Sequence, residues 1–321
     1  MCLFNLCLAA IFAVGGLVAE KPLLPHGEMV HANGVELWNE TFGDKNNPAV
    51  LLIMGGGGQG ILWPTEFCQK LADEGFYVIR YDHRDAGLST AIDFEKNPYT
   101  MKDLADDAIG LLDALQIQKA HVFGVSMGGF IAPIMAVDYP DRVLSIGLLA
   151  TTCDFRPAIS ELFKKPVEIE ENSLSYPTPE YLASTLNLLK APANTFEELL
   201  QQRLETWKLL NGSAAPFDEK MNTEIQTEFM LRNLHPKSLE SHLSSMALSL
   251  DMIQTTPAKV RVPTVVLQGS DDPIFRPDHG ETLAALIPGA RYVLIKGMGH
   301  IPNAEFYDLW IQEIKNNAIK Q

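Results

Sequence analysis

The chain has 321 residues, of which 46% are hydrophobic and 20% are charged. This composition is typical of a folded globular protein, and the length suits one large α/β domain with an insertion or two modest domains. The 40 acidic residues outnumber the 25 basic residues and give a net charge of −15. Such a surface repels phosphate backbones, so the sequence argues against nucleic acid as a partner.

The N-terminal segment, residues 1–19, is apolar except for Asn5, and the first lysine is Lys21. Its length suits the core of a signal peptide or a short membrane anchor, although a positive n-region is missing and the cleavage site is imperfect. We expect export to the periplasm or medium, with an uncleaved membrane anchor as second choice. A start codon set upstream of a cytoplasmic enzyme is third. In each case the segment lies outside the fold.

The four cysteines form neither a metal-binding nor a dense disulfide pattern. Cys2 and Cys7 fall in the N-terminal segment, which leaves Cys68 and Cys153 for the folded body. We expect these two to be buried free thiols, because an unpaired cysteine behaves as a small hydrophobic residue.

Predicted strands and helices alternate along the chain. Asn33-Gly34 between two short apolar runs predicts a hairpin, because both turn positions need positive φ. Thr100 should cap a helix with Asp103 in its first turn, and Pro133 should kink its helix or mark an early end. The predicted strands are residues 30–32, 35–41, 50–54, 76–81, 121–125, 143–150, 264–268 and 292–295. The predicted helices are residues 65–73, 101–115, 127–137 and 307–319.

This alternation predicts an α/β fold with a mostly parallel central sheet and helices on both faces. Residues 155–258 interrupt the pattern, because they contain no clear buried strand and include helical, Glu-rich stretches such as residues 196–210. Prolines break this segment at Pro166, Pro177, Pro179, Pro192 and Pro216. We therefore predict a core formed by residues 20–154 and 259–321, with residues 155–258 as a helical insertion over the carboxyl edge of the sheet.

The pentapeptide Gly-Val-Ser-Met-Gly at residues 124–128 lies between a predicted strand and a predicted helix. A serine hydroxyl is a weak nucleophile unless it is exposed, aimed and paired with a base. A sharp strand-to-helix turn aims it, and flanking glycines let other backbone pass close by. The sequence therefore predicts Ser126 as a nucleophile, against the alternative of an ordinary glycine-rich turn.

The predicted base is His300, because the loop after the last strand hangs over the same edge of the sheet as Ser126. The weaker candidates are His31, His121, His235 and His242. An imidazole base needs a carboxylate that fixes its tautomer and stabilises its charge. Two adjacent acids follow the strand at residues 264–268, and we choose Asp272, with Asp271 close behind and Asp154 as a third candidate. The order Ser126, Asp272, His300 is the one that such a strand-to-helix nucleophile requires.

The negative charge that develops on an attacked carbonyl oxygen needs hydrogen-bond donors already in place. The backbone N–H of Met127 is one predicted donor. The other should come from the glycine run after Met54, where Gly56 is the first choice and Gly57 the alternative. A flexible loop without this role is the competing structural interpretation.

The same glycine run supports a rival from another class of enzyme. Residues 55–60 match Gly-X-Gly-X-X-Gly after a strand, and Asp82 ends the next strand, as in a dinucleotide-binding oxidoreductase. Trp63-Pro64 opposes this, because the residue before proline avoids helical geometry where a helix should hold the pyrophosphate.

Residues 81–89 form a charged turn that we interpret as a hydrogen-bonded loop supporting the site.

Taken together, the glycine run after Met54, residues 81–89, residues 124–128, residues 269–273 and Gly299-His300 resemble the α/β-hydrolase superfamily. The similarity is to its aclacinomycin methylesterase-like serine esterases, which cleave carboxylic methyl esters, and it covers residues 28–154 and 258–303. It implies the α/β-hydrolase fold, a helical lid at residues 155–258, and the aspartate before proline, Asp272, as triad acid. Many relatives have His-Gly where this chain has Met54-Gly55, but the donor there is backbone.

The predicted function is therefore that of a serine hydrolase that cleaves a small carboxylic ester, with a methyl ester implied by the resemblance, through an acyl-enzyme intermediate. No metal or organic cofactor is predicted. An aminopeptidase, a lactonase, a thioesterase and a carbon–carbon hydrolase share the triad and differ in the lid. An aspartate nucleophile is disfavoured because Ser126 occupies the turn. A non-catalytic binding protein with the same fold is the alternative outside enzymes.

Overall fold

The structure is a computed structural model that describes residues 26–163, 174–190, 193–235 and 237–319. The predicted N-terminal segment with Cys2 and Cys7 lies outside the described residues, as do Pro166 and Pro192 of the insertion. Export and membrane anchoring therefore stay predictions. In the described part of the chain, no helix is both long and apolar enough to cross a bilayer.

The described strands form one eight-stranded sheet in the order β1-β2-β4-β3-β5-β6-β7-β8. The strands are β1 (Glu28–Ala32), β2 (Val35–Phe42), β3 (Ala49–Ile53), β4 (Tyr77–Tyr81), β5 (Ala120–Val125), β6 (Val143–Leu149), β7 (Thr264–Gly269) and β8 (Arg291–Ile295). β2 pairs antiparallel with β1 and with β4, and the remaining pairs are parallel. β4 lies on one side of β3 and β5 lies on the other, so the strand order reverses at β3. Folds of this kind bind ligands in the crevice outside the carboxyl ends of the two strands at such a switch point, here β3 and β5.

The helices are α1 (Thr65–Asp73), α2 (Met101–Ala114), α3 (Gly128–Asp138), α4 (Arg156–Phe163), α5 (Pro179–Lys190), α6 (Phe196–Leu210), α7 (Glu219–Arg232), α8 (Ser238–Leu248), α9 (Leu250–Thr255), α10 (Pro277–Leu286) and α11 (Tyr307–Ala318). The helices α4 to α9 all lie between β6 and β7, and the described residues of this insertion contain no strand. The core sheet is thus continuous in space although a helical segment interrupts it in sequence.

Alternate residues of the buried strands pack on opposite faces of the sheet. Leu51 and Ile53 of β3 belong to one hydrophobic cluster, while Val50 and Leu52 belong to the other. This period of two, with both faces buried, explains why the run reads as continuously apolar in sequence. Helices cover both faces, so the carboxyl edge of the sheet is left to loops and to the insertion.

Local structure agrees with most of the turn and cap signals. The hairpin is confirmed, with φ of 48° at Asn33 and 79° at Gly34. Thr100 and Asp103 form a reciprocal cap at the start of α2. An early helix end at Pro133 is wrong, because α3 continues to Asp138. Residues 128–136 are all buried, and their packing outweighs the hydrogen bond that proline removes.

Candidate active site

Ser126 lies at a sharp turn between β5 and α3. Its φ is 55°, in the left-handed region that is unfavourable for a residue with a side chain. The hydrogen bonds that hold the turn include one from Ser126 N to Leu149 O over 3.0 Å and one from Thr151 Oγ1 to Ser126 O over 2.8 Å. Ser126 is partly exposed, so its hydroxyl is accessible at the carboxyl edge of the sheet.

Two glycines allow the turn to pack this tightly. A Cβ on Gly124 would overlap Gly128 O, and a Cβ on Gly128 would overlap Ile53 O of the adjacent strand. α3 then begins at Gly128, directly after Met127. Gly129 N and Phe130 N donate hydrogen bonds to Ser126 O and Met127 O, over 2.8 and 2.9 Å. The positive end of the helix dipole lies at this place and favours negative charge there.

The glycine loop, residues 55–60, passes beside Ser126 because β3 and β5 are adjacent parallel strands. A Cβ placed on Gly55 would lie 3.1 Å from Ser126 Cβ and 3.5 Å from Ser126 Oγ. A Cβ on the next residue, Gly56, would lie 3.7 Å from Met127 Sδ. The structure thus brings Ser126, Gly56 and Met127 together at one place.

The two candidate donors of the glycine loop differ in what their N–H groups do. Gly57 N already donates a hydrogen bond to His242 Nδ1 over 2.8 Å. An N–H that is bonded within the protein is not available to a substrate oxygen, so the geometry favours Gly56 over Gly57 as the donor.

His300 and Asp272 form a hydrogen-bonded pair at the same edge. His300 Nδ1 lies 2.8 Å from Asp272 Oδ2, and the Asp272 side chain is fully buried. The other carboxylate oxygen of Asp272 accepts hydrogen bonds from Ile274 N over 2.8 Å and Phe275 N over 3.0 Å. A carboxylate that holds the proton on Nδ1 leaves the Nε2 lone pair free to accept a proton.

The other two candidate acids are engaged elsewhere. Asp271 accepts hydrogen bonds from Ser213 and Ser270, and these bonds lower its pKa. Asp154 forms an ion pair with Arg156, with Nη2 and Oδ2 2.7 Å apart. The geometry therefore separates Asp272 from its neighbour, which spacing in the sequence could not do.

An aromatic chain connects the imidazole to the helix that follows the nucleophile. The ring of Phe275 lies 5.7 Å from that of His300 and 6.5 Å from that of Phe130 in the first turn of α3. Among the described residues no hydrogen bond joins Ser126 Oγ to His300. This link often tightens only when substrate is bound.

The histidine loop, residues 297–302, is fixed by the end of α6. His300 N donates a hydrogen bond to Leu210 O over 2.7 Å, and Gly299 N donates one to Asn211 O over 3.2 Å. A Cβ on Gly299 would overlap Leu210 O. The insertion therefore sets the backbone position of His300.

A family model described as the alpha/beta hydrolase fold matches residues 48–307. The chain belongs to the α/β-hydrolase family. Rhodomycin D methylesterase DauP of Streptomyces sp. (strain C5) is 36% identical over 277 residues, which cover 85% of this chain and 91% of that relative. Rhodomycin D methylesterase DnrP of Streptomyces peucetius matches at the same identity and coverage.

A solved structure of the enol-lactonase from Burkholderia xenovorans LB400 shares the fold of this α/β hydrolase. Its TM-score is 0.64 at 23% identity, and the match covers 91% of this chain and 100% of that one. The predicted fold class and the prediction of a hydrolase enzyme are therefore confirmed, and the two methylesterase relatives support the predicted class of serine ester hydrolase.

The dinucleotide-binding alternative is wrong for this α/β hydrolase. Residues 60–62 form only a short 3₁₀ turn, and α1 begins at Thr65, after Pro64. Asp82, the candidate ribose ligand, is buried and accepts hydrogen bonds from Gly60 N over 2.7 Å and from Arg232 Nη2 over 2.8 Å. Its carboxylate is therefore engaged by groups within the protein, where a ribose ligand would need it free.

The charged turn at residues 81–89 supports the site through hydrogen bonds, as the sequence predicts. Asp82 accepts a hydrogen bond from Leu88 N over 3.0 Å as well as that from Gly60 N. His83 Nε2 lies 3.0 Å from Met54 O, at the entrance to the glycine loop. Burial lowers the pKa of His83 to about 3, so the ring is neutral and donates to that carbonyl.

Three of the four weaker histidine candidates pair with groups other than Ser126, and the fourth, His242, contacts the glycine loop. His31 pairs with Glu36 on the exposed hairpin, and His121 pairs with Ser145 inside the sheet. His235 contacts Ser89 O over 2.6 Å. Within the residues that the structure describes, no group of three or more His, Cys, Asp or Glu side chains is arranged to hold a metal ion. Cys68 and Cys153 are buried free thiols, as expected.

Sequence reasoning missed the roles of His242 and Arg232, which reach the glycine loop from the insertion. The sequence contained a signal for His242, because polar residues recur along α8 at helical spacing. The buried members of this row are Ser238, Ser241, His242 and Ser245. Such a row indicates that these residues share one face of the helix, although it does not say which segment that face contacts.

Proposed function

We propose that this α/β hydrolase cleaves a carboxylic methyl ester through an acyl-enzyme on Ser126, with His300 as base and Asp272 as the orienting acid. The observation that carries the proposal is the pairing of His300 Nδ1 with the buried Asp272 carboxylate at 2.8 Å, at the sheet edge where Ser126 holds a φ of 55°. The methyl ester comes from the two methylesterase relatives.

In the first half-reaction Ser126 Oγ attacks the ester carbonyl carbon while its proton passes to His300 Nε2. The carbonyl oxygen becomes an oxyanion, which accepts hydrogen bonds from Gly56 N and Met127 N. Collapse of this intermediate breaks the bond to the alkoxy oxygen, which takes the proton from His300. Methanol leaves, and the acyl group stays on Ser126. Asp272 stabilises the imidazolium between the two transfers.

In the second half-reaction water attacks the acyl-enzyme carbonyl while His300 again accepts a proton. The same two N–H groups hold the second oxyanion. Its collapse breaks the bond to Ser126 Oγ, which recovers the proton from His300. The carboxylic acid is released, and the enzyme returns to its starting protonation state. Each step needs only these side chains, two backbone N–H groups and water.

We also propose that the helical insertion acts as a lid over this site. Support comes from its contacts with both loops of the site, through Leu210 O on His300 N and through His242 on Gly57 N. The insertion thus lies at the carboxyl edge, where it can exclude water from the oxyanion and select the acyl group.

The test is turnover of a panel that contains methyl esters, short-chain p-nitrophenyl esters, a lactone, a thioester and an amide. We expect methyl and p-nitrophenyl esters to be hydrolysed and Ser126 to be labelled by a fluorophosphonate. Ser126→Ala should lose both properties. Ser145→Ala is the matched control, because Ser145 lies in the same sheet and its hydroxyl pairs with His121 Nδ1 over 2.8 Å.

Unchanged turnover in Ser126→Ala would remove the assigned nucleophile. A wild-type protein that neither turns over any ester nor accepts the fluorophosphonate would favour the non-catalytic binding protein. Faster turnover of the lactone, thioester or amide than of the methyl ester would keep the triad and replace the substrate class.

A further inference from the structure

We propose that His242, from α8 of the insertion, is a positioning residue that holds the glycine loop so that Gly56 N faces the oxyanion. This inference rests on the proposed function, because it assigns the loop its role in ester hydrolysis. The contact on which it depends joins His242 Nδ1 to Gly57 N over 2.8 Å, across 185 residues of sequence.

The two hydrogen bonds of His242 fix its tautomer. Nδ1 faces the N–H of Gly57, so it must be the unprotonated acceptor. Nε2 lies 2.9 Å from Arg84 O, which can only accept, so Nε2 carries the hydrogen. Both nitrogens of a neutral ring are thus used, one on the glycine loop and one on the turn after β4. His242 clamps these two segments to the insertion.

Side-chain packing from α8 adds to the clamp. A Cβ on Gly57 would lie 2.9 Å from Leu239 Cβ, and a Cβ on Gly56 would lie 3.2 Å from Met246 Cε. The helix therefore lies directly against the loop, with no room for a side chain on it. Gly57 has a φ of 68°, a conformation that glycine adopts without strain.

A run of glycines needs such support because glycine has more backbone freedom than any other residue. Donors stabilise an oxyanion well only when they are already in place before the charge develops. His242 restrains the peptide unit that follows Gly56, so it limits the directions available to the Gly56 N–H. His83 restrains the other end of the loop through Met54 O.

The protonation of His242 fits this role. Its surroundings are His83 and Arg84 from the turn after β4 and Tyr99 before α2, whose ring lies 6.5 Å away. Burial, together with the smaller effect of the Arg84 charge, outweighs the hydrogen bond to Arg84 O and lowers the pKa of His242 to about 4. The ring is therefore neutral at ordinary pH, as an acceptor for Gly57 N requires.

Three substitutions separate the two hydrogen bonds. His242→Asn places an acceptor oxygen at the δ position and can keep the bond from Gly57 N. His242→Gln places a donor at the ε position and keeps the bond to Arg84 O alone. His242→Ala keeps neither. His235→Ala is the matched control, because His235 also bonds a core carbonyl from the insertion, Ser89 O, but does not contact the loop.

We expect kcat for a p-nitrophenyl ester to fall by roughly 10-fold or more in His242→Ala and His242→Gln, with KM changed by less than about 2-fold, because a misplaced oxyanion donor acts on the transition state. His242→Asn should recover most of the loss. Hydrogen exchange of peptides covering residues 55–60 should speed up in the same two variants. His235→Ala should match the wild type in all three measurements.

Equal kcat values in His242→Gln and His242→Asn would overturn the inference, and so would a uniform loss of stability with no change in exchange of the glycine loop. These results would leave the proposed function intact as long as the wild type turns over esters and Ser126→Ala does not. Faster exchange in an enzyme without any esterase activity would instead show that the clamp exists and that the function assigned to it is wrong.

Discussion

The two loops that flank Ser126 are held in different ways. The histidine loop is fixed by backbone hydrogen bonds to the end of α6, such as that from His300 N to Leu210 O. The glycine loop is fixed by side chains, with Asp82 on Gly60 N and His242 on Gly57 N. Both are anchored to the insertion, which is therefore part of the site's framework.

This difference predicts different sensitivities to substitution. A loop held by backbone tolerates changes in its partners' side chains and is disturbed by added volume. A loop held by side chains can be loosened from a distance, by removing one polar group that never meets the substrate. Four experiments test this difference between the two loops.

The largest effect is expected at the hydrogen bond between the side chains of His300 and Asp272. Asp272→Asn keeps an oxygen for Ile274 N and Phe275 N but presents an NH₂ group to His300 Nδ1, which forces the wrong tautomer. We expect kcat to fall by roughly 10⁴-fold, as for the equivalent change in a serine protease triad. Steady-state kinetics on a p-nitrophenyl ester measure this.

Asp271→Asn is the control, since Asp271 bonds Ser213 and Ser270 instead. A larger loss of kcat in Asp271→Asn than in Asp272→Asn would reverse the assignment of the acid.

The next largest effect is on stability, at the buried ion pair that anchors the glycine loop. The side chains of Arg232 and Asp82 are 2% and 0% exposed. Arg232→Met leaves the Asp82 charge buried without its partner, which should lower the free energy of unfolding by about 3–5 kcal/mol. Chemical denaturation measures the change.

Lys208→Met is the matched control, because it breaks an exposed pair with Glu219 and should change stability by less than about 1 kcal/mol. Equal losses in both variants would mean that the buried pair is no stronger an anchor than a surface contact.

The third effect is on the backbone of the histidine loop. Gly299→Ala would force a Cβ into Leu210 O and within 2.6 Å of Gly212 N, so His300 must move. A displacement of about 1 Å can lower kcat by roughly 100-fold. Kinetics should be recorded at a temperature where the variant is folded.

Gly75→Ala is the control for Gly299→Ala, at a glycine far from the site. Nothing lies within 4 Å of a Cβ there, but the φ of 87° is unfavourable for alanine. We expect it to lose about 1–2 kcal/mol of stability and to keep the wild-type kcat. A normal kcat in Gly299→Ala would show that the histidine loop adjusts to added volume.

The strands of the sheet and the candidate catalytic residues could be predicted from sequence because their signals are local. Residues 50–54 form a continuous apolar run, and Asn33-Gly34 marks a turn that few other dipeptides can form. The contacts of the insertion could not be predicted in this way. His242 meets Gly57 across 185 residues, and Arg232 meets Asp82 across 150. Periodicity identifies a helix and its buried face, but the partner depends on how the whole insertion packs.

The smallest effect concerns pH and compares two buried histidines in different regions. Burial lowers the pKa of both His242 and His121 to about 4, whereas an unfolded histidine titrates near 6.5. Above pH 6.5 neither state binds the proton, so the full stability is present. As pH falls towards about 4, only the unfolded chain is protonated, and each histidine removes about 1.4 kcal/mol of stability per pH unit. His242→Gln and His121→Asn should each make the pH dependence of unfolding shallower by this amount.

Only His242→Gln should also lower kcat, because His121 bonds Ser145 inside the sheet and does not contact the glycine loop. A fall in kcat in both variants would show that loss of a buried histidine disturbs the site generally, and the glycine loop would then depend on overall packing and not on its own side-chain contacts.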